Sequence, residues 1–222
     1  MDKQRMLQTV DHTLLSPTAT WDDITKLCHE AIAHQTASVC IAPAYVARVS
    51  EHFGDRLNIC TVIGFPLGYM TTAAKLCEAE IALNEGANEL DLVVNLGDVR
   101  HGEFDKVESE IAAVKALCGK RILKVIIETC YLTQDEKIKL SAIVTSAGAD
   151  FIKTSTGFGT NGATLSDIAL LKAHIGPQVQ MKAAGGIRTM EDMIAYLDLG
   201  VTRLGTSSAI KILAGTKNEM GY

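Results

Sequence analysis

The sequence predicts an α/β protein built as one (β/α)8 barrel, the TIM-barrel architecture, and three observations predict it. Short apolar runs recur eight times along the 222 residues, each followed by a helix-like stretch. These runs are nearly continuous in apolar residues, as the strands of a parallel sheet covered by helices must be. No Pro/Ser-rich linker, charge block or low-complexity tract divides the chain, and four prolines leave little material for a hinge. Residues 1–222 are therefore read as a single barrel domain, with a flexible C-terminal tail from about 214, and α/β barrels commonly use about 200–250 residues as one unit.

Taken in order, the strand candidates are VDHTL (10–14), SVCIA (38–42), ICTVIGF (59–65), ELDLVVN (89–95), ILKVIIE (122–128), FIKTST (151–156), VQMKAAG (179–185) and TRLGTS (202–207). Helices fill the intervals. Between Glu103 and Cys118 the apolar residues Phe104, Val107, Ile111, Val114 and Cys118 recur at three- and four-residue steps, leaving charged residues on the other side. Four helices open with a Thr-x-x-Asp/Glu pattern, at Thr20, Thr133, Thr164 and Thr189, the signature of a capping box. The Gly-Ala pairs in NEGANEL and SAGADFI suit helix ends that feed a strand, because glycine tolerates the left-handed conformation there.

A net charge of −5 and a pI near 5.7 argue against a nucleic-acid partner, whose phosphates select basic faces. Neither a secretory leader nor an apolar run of membrane-spanning length is visible, so the reading is a cytoplasmic protein with no membrane partner. Six dispersed cysteines without CxxC spacing are read as reduced core residues, with Cys40, ending an apolar run near the expected active face, as the one to watch. Six histidines form no HxH or HExxH cluster, and no metal is implied. His12 is the one histidine near the expected site.

The chemistry is carried by two lysines in neighbouring strands, Lys153 and Lys182. A strand lysine pointing into a barrel is costly unless its charge is used. Two ammonium groups ~6 Å apart at an effective dielectric of ~20 repel by roughly 3 kcal/mol, which favours a free amine able to attack a carbonyl. Asp91 shares an inward face with Asn95 by period-two alternation, so a carboxylate sits between the amines, either as proton shuttle or as the partner of a buried ion pair. Lys124 competes as nucleophile, but it lies early in its strand and is read as part of a deeper charge network, whereas Glu128 at the far end is nearer the site. Gly185 and Gly186, with Ser207 and Ser208, form either a phosphate cup at the ends of the last two strands or ordinary turns and caps. Arg188 either adds charge to that cup or pairs with Glu191 at the surface.

The segments DHTLL, ELDLVVNLG, FIKTSTG, KAAGGIRT and RLGTSS, in this order across most of the chain, resemble the deoxyribose-phosphate aldolase family. The resemblance implies a class I aldolase that reversibly cleaves 2-deoxy-D-ribose 5-phosphate to D-glyceraldehyde 3-phosphate and acetaldehyde, in deoxyribonucleotide catabolism. It implies Lys153 as the Schiff-base lysine, Lys182 as the neighbour that favours its free amine, and Asp91 as a proton donor and acceptor working through water. Gly185, Gly186, Ser207 and Ser208 would hold the phosphate, and Asp11, Thr13 and Cys40 would line the aldehyde end. It implies no cofactor, small-molecule partners (a phosphorylated sugar and aldehydes), and leaves homo-oligomerisation open. Phe158 stands where some family members carry a phosphate-binding lysine, so phosphate would rest more on backbone amides. Tyr222, ending the chain, stands where the family can use a tyrosine in proton transfer. Another Schiff-base barrel, such as a transaldolase-like enzyme, and a non-catalytic phosphate-binding barrel are the rival readings.

Overall fold

Apolar strands need cover on both faces, and closing them on themselves with helices outside provides it. In the computed structural model of the protein, which describes residues 2–213, β1 (Val10–Leu14), β2 (Ser38–Ile41), β3 (Ile59–Ile63), β4 (Glu89–Val93), β5 (Ile122–Ile126), β6 (Phe151–Lys153), β7 (Gln180–Ala184) and β8 (Arg203–Thr206) pair in chain order. Every pairing is parallel, and β8 returns to β1 to close the barrel. All eight predicted runs contain a strand. Most strands stop a residue or more short of the run, because its last residues already turn into the βα loops. β2, β3 and β4 are buried at every position.

Around the barrel lie α2 (Trp21–His34), α3 (Val46–Phe53), α4 (Thr72–Asn84), α6 (Phe104–Cys118), α7 (Gln134–Ser146), α8 (Leu165–His174), α9 (Met190–Asp198) and α10 (Ala209–Leu213), with the short α1 (Lys3–Leu7) before β1 and α5 (Leu96–His101) before α6. Thr20, Thr133 and Thr189 form reciprocal capping boxes. Thr164 caps α8 through the Asp167 amide only, because the Asp167 carboxylate takes Lys137 Nζ at 2.6 Å instead of returning to the cap. Among the described residues no helix is long and apolar enough to cross a membrane.

Three sequence expectations are corrected here. Asn95 does not continue the inward face of β4; it lies past the strand end, where its side chain accepts from the Gly97 amide and caps α5. His12 faces outward, as alternation with Asp11 and Thr13 requires, and its Nε2 meets Glu30 of α2 at 2.9 Å. The cysteines are all free, but Cys77 is exposed and Cys130 half-buried, so only four are core residues. Tyr222 and the tail expected from about 214 lie outside the described residues.

Candidate active site

Strand register determines which inward side chains meet. Asp91 on β4 is level with Lys124 on β5, Lys153 on β6 is level with Lys182 on β7, and Lys182 is level with Arg203 on β8. The result is one buried charge network. Asp91 Oδ2 accepts from Lys153 Nζ and from Lys182 Nζ, each at 2.7 Å, while Oδ1 accepts from Lys124 Nζ at 3.0 Å and the Cys60 thiol at 3.2 Å. Lys182 also donates to Asp11, whose other oxygen accepts from Ser38 at 2.8 Å and from Arg203. Glu89 forms an ion pair with Lys124 at 2.5 Å and takes the Arg203 guanidinium at 2.8 and 3.0 Å.

Burial alone would neutralise these groups. For Asp91 it is outweighed by Lys124, Lys153 and Lys182, and for Asp11 by Lys124, Lys182 and Arg203, so both carboxyls are held below the usual aspartate range. Burial likewise opposes the charge on Lys182 and Lys124, but Asp11 and Asp91 outweigh it and hold both ammonium groups above the usual lysine range. Four cationic side chains, Lys124, Lys153, Lys182 and Arg203, thus face three carboxylates, Asp11, Glu89 and Asp91. The interior is charge-balanced when one amine is uncharged. The lysine pair read from sequence is therefore bridged by Asp91, and the surplus of positive charge belongs to the whole network rather than to Lys153 and Lys182 alone. Gly205 makes room for it: a Cβ there would meet Ala184 Cβ at 2.9 Å and Lys182 Cε at 3.1 Å.

Above the network, at the C-terminal ends of the strands, opens a cavity of about 310 Å³. Lys153 forms part of its lining, together with Thr13, Gly185, Gly186, Ser207 and Ser208, and with Arg188 and Phe158. Lys182, Asp91 and Lys124 lie beneath it, all fully buried. Asp11 and Cys40 do not line the cavity as expected. Asp11 is fully buried and committed to Lys182, Arg203 and Ser38, while Cys40 packs with Cys60 and Val62 against Leu15 and Phe65. Interaction with the neighbouring Cys60 sulfur holds the Cys40 thiol below its usual range despite burial.

Gly185 and Gly186 both adopt positive φ, +80° and +76°, in the turn between β7 and α9. The backbone amides of Arg188 and Thr189 donate to the Asp192 carboxylate, each at 3.0 Å, so those two are committed to the helix's own cap. Phe158 is 43% exposed and meets Phe65 edge to face at 5.4 Å, an apolar contribution to the rim.

Three features escape the sequence reading. The Glu89–Arg203 pair was findable, since each is a charged residue inside a strand run, in phase with Asp91 and one residue from the end of its run respectively. Cys60 as a donor to Asp91 carries no such signal. The third is a buried clamp: Glu128, following β5, accepts from Thr156 N at 3.2 Å on both oxygens and from the Thr156 hydroxyl.

Fold and site together define an amine-bearing (β/α)8 barrel, with a lysine exposed to a cavity at the strand ends where enzymes of this architecture work. The chain belongs to the DeoC/LacD family of aldolases, whose profile matches residues 5–214. It is 56% identical over 222 residues, the whole of both chains, to the deoxyribose-phosphate aldolase of Clostridium botulinum (strain Alaska E43 / Type E3). With the deoxyribose-phosphate aldolase of Clostridioides difficile (strain 630) it shares 54% over 216 residues, 97% of each chain. The tetrameric deoxyribose phosphate aldolase from Aeropyrum pernix matches with a TM-score of 0.88 at 32% identity, covering 96% of this chain and 92% of that one.

Proposed function

We propose that the protein is a class I aldolase that reversibly cleaves 2-deoxy-D-ribose 5-phosphate to D-glyceraldehyde 3-phosphate and acetaldehyde through an imine on Lys153. One observation carries the assignment of the nucleophile: Lys153 is the amine of the network that borders the cavity, 2.7 Å from Asp91. A free amine at this position is what attack on an aldehyde requires.

Lys153 Nζ adds to C1 of the open-chain sugar, and loss of water gives a protonated imine. Acetaldehyde carries C1 and C2, so the bond that breaks is C2–C3. The C3 hydroxyl gives up its proton, the C2–C3 electrons move into the imine, and glyceraldehyde 3-phosphate leaves an enamine on Lys153. Protonation at C2 and hydrolysis then release acetaldehyde and the free amine. Asp91 bonds both Lys153 and Lys182; with Lys153 converted to the imine, Asp91 takes the C3 hydroxyl proton through water and returns it by the same route to C2. Lys124 anchors Asp91 from below. Phosphate binding rests on the amides of Gly185 and Gly186 and on Ser207 and Ser208, with Arg188 adding positive charge.

A tetrameric relative supports a homo-oligomeric form, which light scattering of the purified chain tests. A phosphorylated-sugar substrate fits a cytoplasmic enzyme. The deciding assay follows glyceraldehyde 3-phosphate and acetaldehyde released from 2-deoxyribose 5-phosphate. Lys153→Ala is expected to reduce turnover to background; turnover kept in that variant contradicts the assignment.

A further inference from the structure

Glu128 is placed where a structural glutamate would be expensive. It is a non-glycine residue in the left-handed region, φ +50°, and its side chain is buried. Backbone strain of this kind persists where the surroundings over-determine it. Here the surroundings are specific. Both carboxylate oxygens accept from the Thr156 amide, one also accepts from the Thr156 hydroxyl, and that hydroxyl in turn accepts from the Phe158 amide at 3.0 Å. At the other end of the same segment a Cβ on Gly159 would come within 3.1 Å of the Glu128 carboxyl carbon. Residues 156–159 are thus wrapped over one carboxylate. Thr156, Gly157 and Phe158 line the same cavity as Gly185, Gly186 and Ser207. The loop continues to Ala163, whose amide donates to the carbonyls of Ala184 and Gly185 at 3.1 Å, so the clamp and the glycine turn are joined by backbone.

We propose that Glu128 is a positioning residue for the substrate's phosphate: by clamping Thr156 it holds residues 156–158 as the wall that faces the phosphate across the glycine cup. The proposal rests on the aldolase reading for the identity of the substrate, but not for the binding of phosphate itself. Burial raises the carboxyl of Glu128, and the bonds from Thr156 and the nearby Lys153 oppose that rise. Sequence alone gives Glu128 only as a residue near the site; the clamp becomes visible when β5 and β6 lie side by side.

Calorimetric titration with inorganic phosphate tests this independently of turnover. Glu128→Gln and Thr156→Val are each expected to weaken phosphate binding about tenfold, the loss of one charge-assisted hydrogen bond, with the double variant no worse than either single one and Thr156→Ser close to wild type. KM for 2-deoxyribose 5-phosphate should rise by a similar factor while kcat stays near wild type. Unchanged phosphate affinity in Glu128→Gln overturns the proposal, and so does an equal fall in kcat and in activity toward unphosphorylated 2-deoxyribose. If the aldolase reading itself fails, turnover fails in the wild type while the phosphate titrations still decide the role of Glu128.

Discussion

Asp91 collects three lysine amines and a thiol on two oxygens, and each of its partners depends on the others for compensation. Lys182→Leu takes from Asp11 and Asp91 a cation that they share beside Lys153. Turnover is expected to fall, measurable as kcat on 2-deoxyribose 5-phosphate. The same network makes stability pH-dependent in a defined sense. Asp11 and Asp91 are held below the ordinary value of 3.8, so their stabilisation is complete above 3.8 and is lost as the pH falls from there toward the folded values. Lys124 and Lys182 are held above 10.5, so their contribution is complete below 10.5 and is lost as the pH rises beyond it. Melting temperature against pH should therefore decline on both flanks, and Arg203→Met, which strips Glu89 and Asp11 of a partner, should cost about 3–5 kcal/mol in urea unfolding near neutral pH.

At the scale of elements, the caps and the interhelical ion pairs divide the stabilising work. Thr20→Ala and Thr133→Ala each remove a reciprocal capping box and should cost about 1 kcal/mol, read as a lower urea midpoint. Lys75 is a harder case. It is fully buried on α4, donating to Glu110 of α6 at 2.6 Å and to the Val93 carbonyl at 2.9 Å at the end of β4, and Thr72 donates to the second Glu110 oxygen at 2.7 Å. The pair ties two outer helices to the strand that carries Asp91. Lys75→Ala leaves Glu110 buried without its cation and should destabilise the protein by about 3–5 kcal/mol. The caps were legible because their partners are three residues apart in sequence; Lys75 and Glu110 are 35 apart, and a lysine in a helix pattern reads as a solvent-facing residue until α4 and α6 are packed.

For the whole molecule, strand count and order were legible because a parallel barrel imposes near-continuous apolar strands and a helix after each. So were the two lysines and the acid, since charged residues inside such strands are conspicuous. What pairs with what was not legible. Arg203 and Glu89 are 114 residues apart, and only closure of the barrel puts them in contact. The expectation that Asp11 lines the cavity failed for the same reason: alternation gives its inward face, but its carboxylate is taken by Lys182, Arg203 and Ser38, partners that only closure of the barrel brings to it. Thr13, two residues further along the same face, borders the cavity instead. The central claim is that this architecture exposes one amine, Lys153, to a sugar aldehyde. Borohydride reduction of the protein in the presence of 2-deoxyribose 5-phosphate, followed by peptide mass spectrometry, tests it most directly: a two-carbon or sugar-phosphate adduct on Lys153 is the predicted result, and an adduct on Lys182 or Lys124, or none in a sample that turns over substrate, would contradict it.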